Sequence, residues 1–271
     1  MKALFHLVGL GTDINSSFER GAALAPPMIR QALWGDRGNL ACENGMEVGR
    51  DFVLEDMGDL LLGEVPEDDM LIRNAVAASL IGGAIPILLG GDHAITLPVM
   101  EAIHAGHGPV TILHIDAHPD LYDDFGGNPR SHASPFARIM EAGLASRLVQ
   151  VGIRTLNRHC REQAKRFGVE IIDMRSFAPD RVPILSGATY ISLDLDGLDP
   201  AFAPGVSHPE PGGLTVRELL SVLDRITGNI VGADIVELNP RFDINNVTAI
   251  LAAKLVREIA ARATANRKAS S

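Results

Sequence analysis

The segment VTILHIDAHPD, residues 110–120, decides the fold class of this chain. Its first six residues are mostly aliphatic and do not alternate with polar ones, which is typical of a strand buried on both faces. Its last five residues place Asp116, His118 and Asp120 at alternate positions directly after that run. The segment therefore predicts a central strand of a parallel sheet whose carboxyl end carries polar, potentially metal-binding side chains.

Similar apolar runs recur along the chain and end in Gly, Asp or Glu. They cover residues 7–10, 84–89, 148–151, 190–193 and 230–236. Amphipathic segments lie between several of them. The clearest is Thr215–Ile226, which we expect to begin with a capping box of Thr215 and Glu218 and to stop at Gly228; a second spans residues 247 to about 263.

This alternation of strands and helices predicts an α/β fold with a mostly parallel, doubly wound sheet and helices on both faces. We found no linker, internal repeat or low-complexity segment, so we expect one domain over residues 1–271. In such sheets, ligands bind at the carboxyl ends of the strands. Most of the conspicuous polar residues of this chain lie at those predicted ends.

Composition narrows the possible partners and the cellular location. The chain has 24 basic and 34 acidic side chains and a formal net charge of −10, which argues against binding to nucleic acid backbones. No apolar run reaches the roughly 18 residues of a membrane helix. Two cysteines provide no disulfide framework, which fits a reducing compartment. We therefore expect a soluble, unprocessed cytoplasmic protein without nucleic acid or membrane partners.

Carboxylates and imidazoles cluster at three of the predicted strand ends. Asp194 and Asp196 repeat the alternate spacing, and His93 follows Gly90-Gly91-Asp92. A single Asp after a strand is more often a helix cap, but the combination of three such motifs indicates a metal site. Six ligands without a thiolate suit two Mn²⁺, Zn²⁺, Ni²⁺ or Fe²⁺ ions about 3.5–4 Å apart. The predicted ligands are His93, Asp116, His118, Asp120, Asp194 and Asp196.

At these residues the sequence resembles the ureohydrolase (arginase–agmatinase) family, and plant-type arginases most closely. The matching motifs are GGDH (90–93), DAHPD (116–120), SHASPFAR (131–138), SLDLDGLDP (192–200) and DIVELNP (234–240), so that the resemblance extends over essentially the whole chain. It implies a three-layer α/β/α sandwich, assembly into homo-trimers or hexamers, and two divalent ions. Mn²⁺ is the usual metal of the family, with Ni²⁺, Co²⁺ or Fe²⁺ as alternatives.

The resemblance also implies a role for each ligand. His93, Asp116, Asp120 and Asp194 would bind one ion, and His118, Asp116, Asp194 and Asp196 the other, so that Asp116 and Asp194 bridge the two. Asp92 is expected to orient His93, because a ligating histidine usually requires a hydrogen-bonding partner. The ions would activate a water molecule for attack on a guanidinium carbon. Glu237 would bind the guanidinium group and His132 would transfer protons.

The expected reaction is hydrolysis of L-arginine to L-ornithine and urea. Asn128, Ser131 and Asn157 are the candidate contacts for the amino-acid head group, although animal arginases have an acidic residue where this chain has Asn157. Arg130 either pairs with a substrate carboxylate or is solvated. Agmatine or a guanidino acid such as guanidinobutyrate remains an alternative substrate.

Two other classes of function also remain open, a two-metal phosphoesterase and a non-catalytic subunit of a hetero-oligomer. We interpret Asp199 and the remaining histidines as structural or solvent-facing; these histidines are His6, His104, His107, His114, His159 and His208.

Overall fold

A computed structural model describes residues 2–270 and contains one eight-stranded sheet. Its strands are β1 (Ala3–Leu10), β2 (Phe52–Asp59), β3 (Ile85–Gly90), β4 (Val110–Ile115), β5 (Ala145–Ile153), β6 (Glu170–Asp173), β7 (Thr189–Asp194) and β8 (Ile230–Val236). They lie in the order β2-β1-β3-β8-β7-β4-β5-β6, and every neighbouring pair is parallel. The predicted parallel α/β fold is confirmed.

Within residues 2–270, seven α-helices cover the two faces of this sheet. They are α1 (Ala25–Trp34), α2 (Asp68–Ile81), α3 (Thr96–His107), α4 (Pro135–Glu141), α5 (Arg158–Phe167), α6 (Val216–Leu223) and α7 (Val247–Ser270). The core of one face packs the sheet against α1, α6 and α7, and the core of the other packs it against α2, α3, α4 and α5. Alternate residues of β4 serve the two cores: Leu113 and Ile115 the first, Val110 and Ile112 the second.

The two edge strands were not predicted, because they lack a continuous apolar run. In β2 most of the side chains are exposed, and β6 contains no fully buried residue. An edge strand has a neighbour on one side only, so fewer of its positions must be apolar.

Both predicted helix ends were wrong. Helix α6 ends at Leu223 with Asp224 as its cap in right-handed conformation, so Gly228 does not terminate it. Gly228 instead lies against the backbone of the 186–187 segment, where an added Cβ would meet carbonyl atoms at 2.2–2.4 Å. Helix α7 continues to Ser270, well beyond residue 263, because burial extends to Asn266, whose side chain donates to the carbonyls of Ile226 and Gly228.

The strand order brings the predicted site together. Strands β3, β8, β7 and β4 are consecutive neighbours in the middle of the sheet. His93 follows β3, Glu237 follows β8, Asp196 follows β7 and Asp116 follows β4. Because all the strands are parallel, their carboxyl ends meet at one edge. Among residues 2–270, the structure contains no helix that is both long enough and apolar enough to cross a membrane.

The capping box of α6 was predicted correctly and provides a stability test. The Glu218 amide donates to Thr215 Oγ1 at 3.1 Å, and the Thr215 amide donates to Glu218 Oε2 at 2.8 Å. Thr215→Ala should lower the free energy of unfolding by about 1 kcal/mol, because it leaves the amide unpaired. Thr215→Ser, which keeps the hydroxyl, is the control. Urea titrations giving the same stability for the alanine variant and the parent would refute this role.

Candidate metal centre

Three aspartates surround one ring nitrogen of His93. His93 Nδ1 lies 3.2 Å from Oδ2 of each of Asp116, Asp120 and Asp194. The His93 side chain is fully buried, and the three carboxylates are buried or nearly so. These four residues are those assigned by resemblance to one metal ion.

A second group lies beside the first and shares Asp116 with it. His118 Nδ1 is 3.0 Å from Asp196 Oδ2 and 3.4 Å from Asp116 Oδ1. Asp116 thus presents Oδ2 to the first group and Oδ1 to the second. Asp194 reaches the second group through its Oδ1, which accepts a hydrogen bond from the Asp196 amide at 2.8 Å. The structure therefore brings all six predicted ligands into one cluster.

Unusual backbone conformations help to form this edge of the sheet. Asp120 and Glu237 have φ values of 49° and 66°, in the left-handed region that non-glycine residues seldom adopt outside functional sites. Gly91 contacts the backbone of Thr12 so closely that an added Cβ would lie 1.8 Å from its carbonyl oxygen. The loop after β1 is thereby packed against the end of β3.

The hydrogen bonds of His93 fit a metal ligand. Ser192 Oγ donates to Asp234 at 2.7 Å, so it accepts from His93 Nε2 at 2.9 Å. His93 Nδ1 then has a lone pair in the neutral ring, and no described atom forms a well-aligned hydrogen bond with it. A buried lone pair that faces three carboxylate oxygens is favourable only with a cation between them.

The pKa values of the aspartates also indicate a site for cations. Burial and the neighbouring Asp116 carboxylate raise the pKa of Asp196 to about 6. Burial, with Asp196 and Asp116 close by, raises the pKa of Asp194 well above its usual range. Carboxylates crowded in this way repel one another, and a divalent cation removes that repulsion. The donor set of oxygen and imidazole nitrogen atoms thus fits the two predicted divalent ions.

His114 lies beside this cluster, where it has the structural role that was one of the two interpretations of it. Its Nδ1 accepts from Gln150 Nε2 at 2.9 Å, and its Nε2 donates to Asp116 Oδ2 at 2.8 Å. The ring is fully buried and stacks on Phe136, with centroids 3.9 Å apart. The signal in the sequence was a polar residue within the buried run of β4.

Asp92 forms no hydrogen bond with the His93 ring, so the expectation that it is the partner of that ring was wrong. Asp92 Oδ1 accepts from the Ala94 amide at 3.0 Å and Oδ2 from the Asn15 amide at 2.9 Å. Its position directly before a short 3₁₀ helix, His93–Ile95, turns the carboxylate towards backbone amides as a cap. Ser192 provides the partner of the His93 ring instead.

His132 and Glu237 form a pair beside the ligand cluster. His132 Nδ1 lies 2.8 Å from Glu237 Oε1, and both residues line a cavity of about 230 Å³ together with His118, Asp194 and Asp196. Burial alone would lower the pKa of His132, but the Glu237 carboxylate raises it to about 9. Such a pair can bind a cation and hold or release a proton.

The same cavity contains residues that the sequence analysis missed. His208 was interpreted as structural or solvent-facing, but it lines the cavity with its ring centroid 5.2 Å from that of His132. Tyr122 and Phe125 form an aromatic pair on the wall, and Ser17 lies against His132. The position of His208 in the loop after the Asp194–Asp196 motif could have identified it.

The three candidate head-group residues lie outside the described lining of this cavity. Asn128 donates to Asn15 Oδ1 at 3.1 Å, and Ser131 Oγ accepts from the Ala133 amide at 3.3 Å. Asn157 caps α5 and also donates to the Tyr122 hydroxyl. Their contact with a substrate stays a prediction. Arg130 pairs with Asp69.

Comparisons with known proteins agree on one family. The model of the arginase family matches residues 3–261. The chain is 50% identical to mitochondrial arginase 1 of Arabidopsis thaliana, over 96% of this chain and 81% of that protein. It is 36% identical to mitochondrial agmatinase of Gallus gallus, over 93% and 78%.

Solved structures give the same result. The arginase from Medicago truncatula matches with a TM-score of 0.89 and 46% identity, over 96% of this chain and 87% of that one. A putative agmatinase from Clostridium difficile matches with a TM-score of 0.86 and 28% identity, over 97% and 98%.

We expect the protein to bind two divalent ions per chain, because the six side chains form two groups that share Asp116. Asp116→Asn should weaken both sites and abolish the increase in Tm that Mn²⁺ produces in the parent; that increase corresponds to about 2.7 kcal/mol at a hundredfold excess over Kd. Asp199→Asn is the matched control, since the Asp199 carboxylate accepts only from the amides of residues 201, 212 and 213. Elemental analysis finding one ion or fewer, or equal protection of Asp116→Asn and the parent, would contradict the assignment.

Proposed function

This chain belongs to the arginase family, and from that membership we propose that it hydrolyses the guanidino group of L-arginine to give L-ornithine and urea. The observation that carries the proposal is the carboxylate of Glu237, which opens on the same cavity as the ligand cluster. The relatives also support arginine, because identity to plant proteins named arginase is 46–50%, against 36% and 34% for an agmatinase and a guanidino acid hydrolase.

Glu237 has one carboxylate oxygen available for a substrate. Its Oε1 accepts from the His93 amide at 2.9 Å and contacts His132 Nδ1 at 2.8 Å. No described residue forms a hydrogen bond with its Oε2. A guanidinium cation that bonded to this oxygen would gain a charge-assisted hydrogen bond in a buried setting. That contact would place the guanidinium carbon beside the ligand cluster.

The six ligands would hold two ions, and we propose Mn²⁺, with Ni²⁺, Co²⁺ or Fe²⁺ as the alternatives. When bound, these ions would supply an activated water molecule and stabilise negative charge in the transition state. Oxygen and imidazole ligands without thiolate suit Mn²⁺.

The chain's own acid–base group is His132. Water adds to the guanidinium carbon, the bond from that carbon to the side-chain nitrogen breaks, and the leaving amine needs a proton. His132 lies in the cavity with its Nδ1 held by Glu237, so its Nε2 is directed away from that carboxylate. We assign it the transfer of the proton from water to the leaving nitrogen.

A phosphoesterase is less well supported. None of the described residues that line the cavity is Lys or Arg, whereas a phosphate site normally contains such cations. Arg154, the nearest candidate after β5, donates instead to backbone carbonyls of Asp196, Gly197 and Glu210.

Three further expectations remain proposals. We propose one domain over residues 1–271, because a single sheet carries both cores. We also propose a homo-trimer or hexamer, as the resemblance implies, and analytical sedimentation would test this assembly. We also propose a cytoplasmic location, which the two free, buried cysteines permit. The relatives are named mitochondrial or chloroplastic, so cell fractionation must decide.

Urea release tests the proposed activity. With Mn²⁺, and separately with Ni²⁺, we expect L-arginine to give a higher kcat/KM than agmatine, guanidinobutyrate or guanidinopropionate. A higher value for agmatine or a guanidino acid would replace arginine as the substrate. Absence of urea from all four, with both metals bound, would favour a non-catalytic subunit.

His132→Ala should lower kcat by about 10²–10⁴-fold, the usual loss for a positioned acid–base group, while both ions stay bound. His107→Ala is the control, because His107 is exposed at the end of α3 and outside the cavity. Steady-state kinetics with metal analysis on the same samples would measure both effects. Full activity of His132→Ala would remove this residue from the mechanism.

A further inference from the structure

The hydroxyl of Ser17 contacts Nε2 of His132, the ring nitrogen that is not bonded to Glu237. Ser17 Oγ lies 2.8 Å from His132 Nε2, and the Ser17 amide donates to the same nitrogen at 3.2 Å. The other ring nitrogen, Nδ1, is bonded to Glu237. Ser17, His132 and Glu237 thus form a chain of hydrogen-bonded groups, and all three line the cavity that holds the ligand cluster.

The position of Ser17 is set by the loop after β1, although the residue itself is exposed. The His132 amide donates to the carbonyl of Asn15 at 3.1 Å, and the Asn15 amide donates to Asp92 at 2.9 Å. Earlier in the loop, the Asp13 carboxylate accepts from the amides of Gly21 and Ala23 at 2.7 and 3.1 Å. A fixed backbone therefore presents an accessible hydroxyl at His132 Nε2.

A hydroxyl can accept one proton while it donates another. In the neutral ring, Nδ1–H donates to Glu237 and Nε2 accepts from Ser17. Once Nε2 has taken a proton, it no longer accepts from the Ser17 amide and donates instead to Ser17 Oγ, and the hydroxyl hydrogen can turn towards the cavity. Because Ser17 lines the same cavity as His132, a substrate bound there could take that hydrogen.

We propose that Ser17 is a catalytic residue that relays the proton from His132 Nε2 to the leaving amine nitrogen; this rests on the proposed arginine hydrolysis. As the Nε2–H bond breaks, the proton passes to Ser17 Oγ. The original hydroxyl proton passes to the lone pair of the leaving nitrogen, while the bond from that nitrogen to carbon breaks. His132 loses one proton, the amine gains one, and the Ser17 hydroxyl is restored.

Variants of Ser17 distinguish a proton relay from a role in which Ser17 only positions the His132 ring. Ser17→Ala removes Oγ but keeps the bond from His132 Nδ1 to Glu237 and the Ser17 amide that donates to Nε2 of the neutral ring, so the His132 ring keeps its position. We expect kcat for arginine to fall about 10²-fold, the lower end for loss of an acid–base group, with KM unchanged. Ser17→Thr should retain most of the activity, because it keeps the hydroxyl. Ser16→Ala is the matched control, since this neighbouring side chain makes no described contact with His132.

A second substrate tests the proton step itself. In the guanidinooxy analogue of arginine, the leaving nitrogen carries oxygen and is a weaker base, so that its departure needs less protonation. Ser17→Ala should therefore lose much less kcat with the analogue than with arginine, relative to the parent. Equal losses for both substrates, or no loss with arginine, would overturn the relay. The Mn²⁺-dependent rise in Tm should be the same in Ser17→Ala and in the parent. If the parent itself releases no urea from arginine, the proposed function is refuted instead.

Discussion

Mutual repulsion among four buried aspartates at one sheet edge is the constraint on which this site depends. The fold offsets part of it with hydrogen-bond donors. Asp196 Oδ1 accepts from the Ala117 amide at 3.1 Å and Asp194 Oδ1 from the Asp196 amide at 2.8 Å. Each of these carboxylates keeps Oδ2 directed at a histidine nitrogen. Backbone amides thus fix the orientation of the carboxylates, and the remaining charge is left for cations.

A buried network beneath the cluster determines where His93 points. The Asp234 carboxylate accepts from the hydroxyls of Tyr190, Ser192 and Thr96 at 2.7, 2.7 and 2.9 Å. Ser192 then accepts from His93, which assigns the ring hydrogen to Nε2. Asp234 has no cationic partner in these contacts, so three hydroxyl donors compensate for its burial. The strand residues of β7 and β8 therefore set the tautomer of a residue that follows β3.

The part of the site that local spacing determines was predictable. The motif after a buried strand indicated Asp116, His118 and Asp120 as ligands, and parallel pairing brought the other strand ends beside them. Extended alternation does not cause their convergence, because β4 ends at Ile115 and Asp120 has a φ of 49°. Contacts between distant segments were not predictable. Gln150 is 36 residues from His114, and Ser17 is 115 residues from His132, and no local pattern links such pairs. The fold shows the same division, because its buried central strands were predicted and its polar edge strands were missed.

Glu237 links the predicted ligand cluster to His132. One oxygen, Oε1, accepts from the His93 amide and contacts the His132 ring. Loss of this carboxylate would therefore remove a hydrogen bond from the backbone of His93 and another from the His132 ring. Asp92 forms a second link, since it caps the turn that carries His93 and holds the Asn15 amide, whose carbonyl in turn accepts from His132. The strand ends thus position the ligands, and Glu237 and Asp92 hold the neighbouring loops against those strand ends by hydrogen bonds.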